Sequence, residues 1–380
     1  MQKLLVALAF LFSFSVASAE NEAALKLVHT IPLPEVDGRI DHFAIDVKGR
    51  RAFLAALAKN TIEVVDLSAG RVAHSLPGFA KPQGVLFVPQ FNKLVVACGA
   101  DGSVKTVDAT TLAVIHTGSV SPGADAIGYD PRSKEIYVGS GGGDANKEQG
   151  DLTVFDAANG AQVASLTTDA HAGGSVVEGH GGRVFVLVPE KSQVVVLDRK
   201  TKAQVTKWTI PGIQKDVAIA LDEKSHRLFL GVRTPASIVV LDSDSGAVVA
   251  SVQTVATLDG LSFDADTRRI YTSGGEGFVD VTQQIDADHY ERIARCGEQR
   301  QHLRELAHHD SRAANGPEVR YRADCGCPRS ASTRRFDASN MLAARKMGTA
   351  KFEPEKSDRT AKFTPITFPL ASNTGPPDPP

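Results

Sequence analysis

An all-β ring of repeated four-stranded blades, a β-propeller, is the architecture this 380-residue sequence predicts. Three observations predict it. A β-branched run closing in Asp recurs at Asp66, Asp108, Asp156, Asp198 and Asp242, in steps of 42, 48, 42 and 44 residues. A basic-apolar-apolar run recurs in each of six units: "RAFL" from Arg51, "KLVV" from Lys93, "RVFV" from Arg183, "RLFL" from Arg227 and "RIYT" from Arg269, with "EIYV" from Glu135 as the one acidic variant. Finally, "LVHTIPLP" from Leu27 returns as "VAHSLPGF" from Val72 and "VIHTGSVS" from Val114, and His29, His74 and His116 stand 45 and 42 residues apart. Such spacings exceed any helical or strand period and belong to a structural repeat.

Taken in order, each unit holds four short strands. An apolar first strand reads "HFAID" from His42, "AIGYD" from Ala126, "VAIALD" from Val217 and "GLSFD" from Gly260. The basic-apolar run, the run ending in Asp and a last strand such as "VVASV" follow, with Gly, Asn, Asp and Ser turns between them. The recurring Asp, followed by small polar residues and usually a Gly, is read as an Asx-type turn into the fourth strand, a structural role. The third unit carries an insertion, "GSGGGDANKEQGD" from Gly139 to Asp151, expected as a polar loop on one face. Six units align. "LVHTIPLP" matches a fourth strand with no first three before it, so it is expected to complete a seventh blade, and the repeated His residues to lie on outermost strands. The chain from Cys296 loses the alternation, turning to Arg, His, Cys and a Pro-rich end. That segment, 297–380, is expected to be irregular, read either as an appended tail or as an out-of-frame translation, and not to complete the ring.

The first nineteen residues read as a secretory signal: Lys3, an apolar run from Leu4 to Val16, and Ala17, Ser18, Ala19 before Glu20. The mature propeller, 20–296, is therefore expected in the periplasm or outside the cell, as a monomer. A net charge of −2 gives no electrostatic footprint for nucleic acid, and no segment is apolar for long enough to span a membrane. Cys98 stands alone among the repeats, so disulfides are not the main staple. His308, His309, Cys325 and Cys327 in the tail fit no common zinc spacing.

"GRIDHFAID", "DAIGYDPRSKEIYVGSGGG", "HRLFLGVRTPASIVVLDSDSG" and "RRIYTSGGEGFVDV" resemble the YncE or YVTN-repeat family of exported seven-bladed propellers, a likeness covering roughly Gly38 to Ala294. The naming tetrapeptide is loosely kept, as "YVGS" at Tyr137 and "YTSG" at Tyr271. The resemblance implies the fold and carries a DNA-binding label, which the near-neutral charge opposes.

Aligning the units puts one column at the start of the first strand, nearest the axis: Asp41, Gln83, Asp125, Gly173, Val217 and Asp259. The next column reads His42, Gly84, Ala126, Gly174, Ala218 and Gly260, and Asp216 adds a carboxylate in unit five. Polar residues followed by small ones suit a narrow tunnel mouth. Asp41, His42, Gln83, Asp125, Asp216 and Asp259 are the candidate ligand-binding residues, and carboxylates meeting one His could hold a divalent cation such as calcium. The plain reading is that they cap turns and line a water-filled tunnel. No nucleophile elbow, zinc-protease or haem-attachment motif occurs. The function expected is thus a binding or scaffold module for a small molecule, ion or protein partner on one face. A metal- or cofactor-dependent enzyme of lactonase or quinoprotein type is the alternative, and DNA binding a second.

Overall fold

The computed structural model describes residue 25 and residues 29–297. The signal segment 1–19 and the tail 298–380 lie outside the described residues. Blade one is a four-stranded antiparallel sheet of β1 (Ile40–Asp46), β2 (Arg51–Ala56), β3 (Thr61–Asp66) and β4 (Arg71–Pro77), in sequence order. Five more sheets of the same order follow over 82–119, 127–168, 175–209, 214–253 and 258–297. The described residues contain no α-helix, only two short 3-10 turns, Gly142–Ala145 and Pro189–Lys191. No helix among them is long and apolar enough to cross a membrane.

Burial follows position in the blade. β2 and β3 are buried almost throughout, whereas β4 shows mostly exposed and half-buried residues. This is what a radial sheet requires: its two middle strands are covered on both faces by neighbouring blades, and its fourth forms the rim. The cores accordingly lie between blades. Phe53, Ile62 and Val64 of blade one pack with Leu94, Val96 and Val107 of blade two. Equivalent clusters join each later blade to the next, as far as blade six. Each buried Phe or Leu removed from water stabilises by about 1.5–3 kcal/mol.

The recurrent Asp does locate a turn. Asp66 Oδ1 accepts the backbone N–H groups of Ser68 and Ala69 at 2.8 and 2.9 Å. Asp108, Asp156, Asp198 and Asp242 repeat the arrangement. These backbone donors hold the Asp66 carboxyl below its ordinary value. The turn closes on a residue with positive φ: Gly70 at 63°, Leu112 at 61°, Gly160 at 78°, Lys202 at 63° and Gly246 at 75°.

Those glycines also explain the repeated His. A Cβ at Gly160 would stand 2.5 Å from His116 Nδ1, and one at Gly246 would stand 2.2 Å from Trp208 Cδ2. A ring on the fourth strand of one blade thus lies over the turn glycine of the next. His29 stands in the same relation to Gly70, at 2.6 Å from its Nε2. The segment 29–36 therefore occupies the place that a preceding blade's fourth strand would take, and Ile31, Leu33 and Val36 pack on Leu54 and Val65 of blade one. His74 and His116 lie on outer strands. The strand expected over Leu27–Leu33 is not formed: 29–33 has no regular structure, and Leu27 lies outside the described residues. A ladder needs a hydrogen-bonded neighbour, and no described strand lies beside this segment. Among the described residues, no apolar cluster joins blade six to blade one.

Candidate functional site

The first strands of blades one, two, five and six are interrupted near their starts. β1 pairs regularly with β2 from Asp46 back to Phe43, then slips to Ile40, so Asp41 and His42 sit in a bulge. Blade two slips between Pro82 and Val85, around Gln83 and Gly84. Blade five slips between Asp216 and Ala218, and blade six between Leu258 and Gly260, around Asp259. The candidate column is the column of bulges. A bulge turns consecutive side chains away from strict alternation, so Asp41 and His42 are both buried, at 1% and 6% exposure.

Three side chains converge. His42 Nδ1 lies 3.1 Å from Asp41 Oδ1 and 3.5 Å from Asp125 Oδ1. The ligand atoms of Asp41, His42 and Asp125 all lie within 4.8 Å of one another. Arg39 approaches from the other side, its guanidinium 3.1 Å from Asp41 Oδ2. Asp125 belongs to the crossing between blades two and three and is fixed by backbone: its N–H donates to Gly139 O at 3.1 Å, and the Gly139 N–H donates to Ala126 O at 3.1 Å. Gly84 makes room for it, since a Cβ there would stand 1.9 Å from Asp125 O. This is the physical content of the small residues in the second column: neighbouring backbones meet there.

The other candidates go elsewhere. Asp259 forms an ion pair with Arg233, whose Nε also donates to Leu258 O at 2.7 Å, so this carboxylate joins blade five to blade six. Gln83 is buried in the bulge of blade two, its Oε1 turned toward Gly99. Asp216 lies in the bulge of blade five, and its side chain falls outside the described part of the structure. Reading the column alone missed Arg39 and Arg233. Arg39 was within reach of the sequence, two residues before Asp41, whereas Arg233 lies 26 residues from Asp259 and carried no local signal.

The insertion of blade three borders the cluster. Its strands run on, pairing as far as Gly141 with Gly150, which reduces the expected loop to 142–149. His171 Nδ1 lies 3.2 Å from Gly141 O, and Lys147 Nζ reaches Ser121 Oγ at 3.4 Å, while Ser121 Oγ donates to Asp151 Oδ2 at 2.8 Å. Because Gly139 is bonded to Asp125, this loop and the Asp41–His42–Asp125 cluster share one end of the blades. A groove lined by Arg132, Ser133, His180 and Arg199 lies on the first-hairpin turns of blades three and four and the last turn of blade four, at the opposite end. There the Arg199 guanidinium is committed to Asp130.

The chain matches no family model and no curated protein. Among solved structures it is similar to the hydrazine synthase of Kuenenia stuttgartiensis, at 16% identity and a TM-score of 0.59, over 66% of this chain and 77% of that one. It is similar to a chain of a mitotic checkpoint complex, at 14% identity and a TM-score of 0.60, over 77% of this chain and 88% of that one. A β-propeller domain from Myceliophteria thermophila aligns at 11% identity and a TM-score of 0.50, over 60% of this chain and 74% of that one. At these identities the likeness shows the fold: the chain is an all-β propeller.

Proposed function

We propose that this chain is an exported binding propeller of the YncE or YVTN-repeat type, and that it takes its ligand at the axial mouth formed by Asp41, His42 and Asp125. One observation carries the reading: two carboxylates and an imidazole, from blade one and the blade-three crossing, come within 4.8 Å of one another. Buried charge is expensive and is kept where it orders a ligand or a partner. The loop 142–149 beside the cluster supplies an adaptable border, as loops on a rigid scaffold commonly do. The blades themselves form the scaffold.

The test is a thermal-shift screen of the purified chain against small molecules and salts, followed by titration of each compound that stabilises it. A ligand that raises Tm in the wild type and loses its effect in His42→Gln and Asp125→Asn supports the reading. Stabilisation that survives in both variants moves the site away from the axis and overturns it. For export, the N-terminal residue of the secreted chain is expected to be Glu20, and retention of an uncleaved chain in the cytoplasm would reject that part.

A further inference from the structure

We propose that Asp41, His42 and Asp125 coordinate one divalent transition-metal ion, of the zinc or manganese class, at the axial mouth; the inference rests on the reading of that mouth as the binding site. Geometry is the first argument. Ligand atoms at about 2.0–2.2 Å from a common ion stand about 3.0–3.5 Å apart along the edges of an octahedron or tetrahedron. The two edges at His42 Nδ1 are 3.1 and 3.5 Å. Among the described residues the ring nitrogen makes no aligned hydrogen bond to either oxygen. Three ligand atoms thus stand around a shared point, all within 4.8 Å of one another.

Chemistry selects the ion. Calcium takes six to eight oxygen ligands at about 2.3–2.6 Å. A site with an imidazole nitrogen and two carboxylates suits zinc, manganese or iron, in place of the calcium expected for carboxylates meeting one His. Arg39 sits against Asp41 Oδ2 and leaves Oδ1 as the atom directed at His42. Placement agrees too, because Asp41 and His42 are buried whereas the Asp125 side chain is 16% exposed, which leaves the approach on the Asp125 side. Three protein ligands leave a further coordination position for water or a ligand atom.

The experiment is calorimetric titration of the metal-stripped full-length chain with ZnCl2, MnCl2 and CaCl2 separately, with Co2+ absorption as a spectroscopic readout of ligand geometry. One Zn2+ or Mn2+ per chain is expected, bound at least about 100-fold more tightly than Ca2+. His42→Gln and Asp125→Asn are each expected to weaken binding by at least about 100-fold, more than the loss typical of an outer-shell partner. Circular dichroism spectra and the metal-free Tm of both variants establish that they fold. If the metal-free variants fail to fold, Co2+ bands carrying an imidazole nitrogen signature in the wild type decide the matter, and their absence overturns the inference. No ion bound, Ca2+ bound preferentially, or folded variants that bind as the wild type does would also overturn it. A mouth that binds another ligand in the thermal screen but no metal would reject this inference and leave the proposed function standing.

Discussion

The blade joints are built in two opposite ways. At four of them the first residue of the second strand is basic and reaches forward into the next blade's last turn. Arg51 donates to Ala109 O at 2.6 Å, Arg183 to Ser243 O at 2.6 Å and Arg227 to Ala287 O at 3.1 Å, and Lys93 reaches Ala158 O. Between blades three and four the polarity is reversed: Glu135 and Asp130 of blade three receive Lys202 and Arg199 of blade four. The lone acidic variant of the basic column is thus matched by a lysine placed, with positive φ, in the facing turn. The difference teaches that this column is a clasp between neighbours, where either sign serves if the partner changes with it. A solvated charge would need no such match.

The largest effect is expected at the reversed joint. Lys202→Glu sets a carboxylate against Glu135, whose side chain is 14% exposed, and is expected to cost about 3–5 kcal/mol in urea unfolding, as breaking a buried pair does. Adding Glu135→Lys should recover more than half of that loss. A double variant no better than the single would refute the clasp. Arg183→Ala, at a forward joint where the arginine is 26% exposed, is expected to cost about 1–3 kcal/mol, mainly from its bonds to Glu178, Asp244 and Ser243 O.

Acid should weaken the reversed joint selectively. Burial pushes the Asp130 carboxyl up, but Arg199, Ser133 and two backbone donors outweigh it and hold it below the ordinary carboxylate value. A carboxyl depressed in the folded state contributes stability above its unfolded pKa of about 3.9, and that contribution is lost as pH falls through the lower folded value. Unfolding midpoints measured from pH 5 downward should therefore fall less steeply in Asp130→Asn than in the wild type; parallel curves would count against the assignment. The smallest effect is expected at Arg269. Its Nε donates to Gln283 within its own blade at 3.3 Å, so Arg269→Ala should change stability by no more than about 0.5 kcal/mol. A loss approaching that of Arg183→Ala would mean that Arg269 also clasps a neighbour.

The repeat was legible because its signals are local. Period-two apolar runs set the strands, and an Asp side chain can satisfy backbone donors two and three residues on whatever surrounds it, so Asp66 and its equivalents could be read as turns. The basic run was legible as a strand start but not as a clasp, since Ala109 lies 58 residues from Arg51. His29 and His116 were visible as a repeat. Their reason was not, because each ring rests on a glycine of the following blade.

By itself, then, the sequence determined the all-β class, the order of strands within six blades and a column of polar and small residues at the start of each first strand. All of these follow from alternation and turn chemistry inside single units. Only the tertiary structure decided which members of the column meet. Asp41 and His42 share a bulge that alternation does not announce, and Asp125 joins them because the blade-three crossing is pinned to Gly139. Asp259, in the same column, is drawn instead to Arg233. Convergence at an axis depends on how separate sheets pack around it, and a side chain's partners there come from blades whose sequences carry no trace of one another.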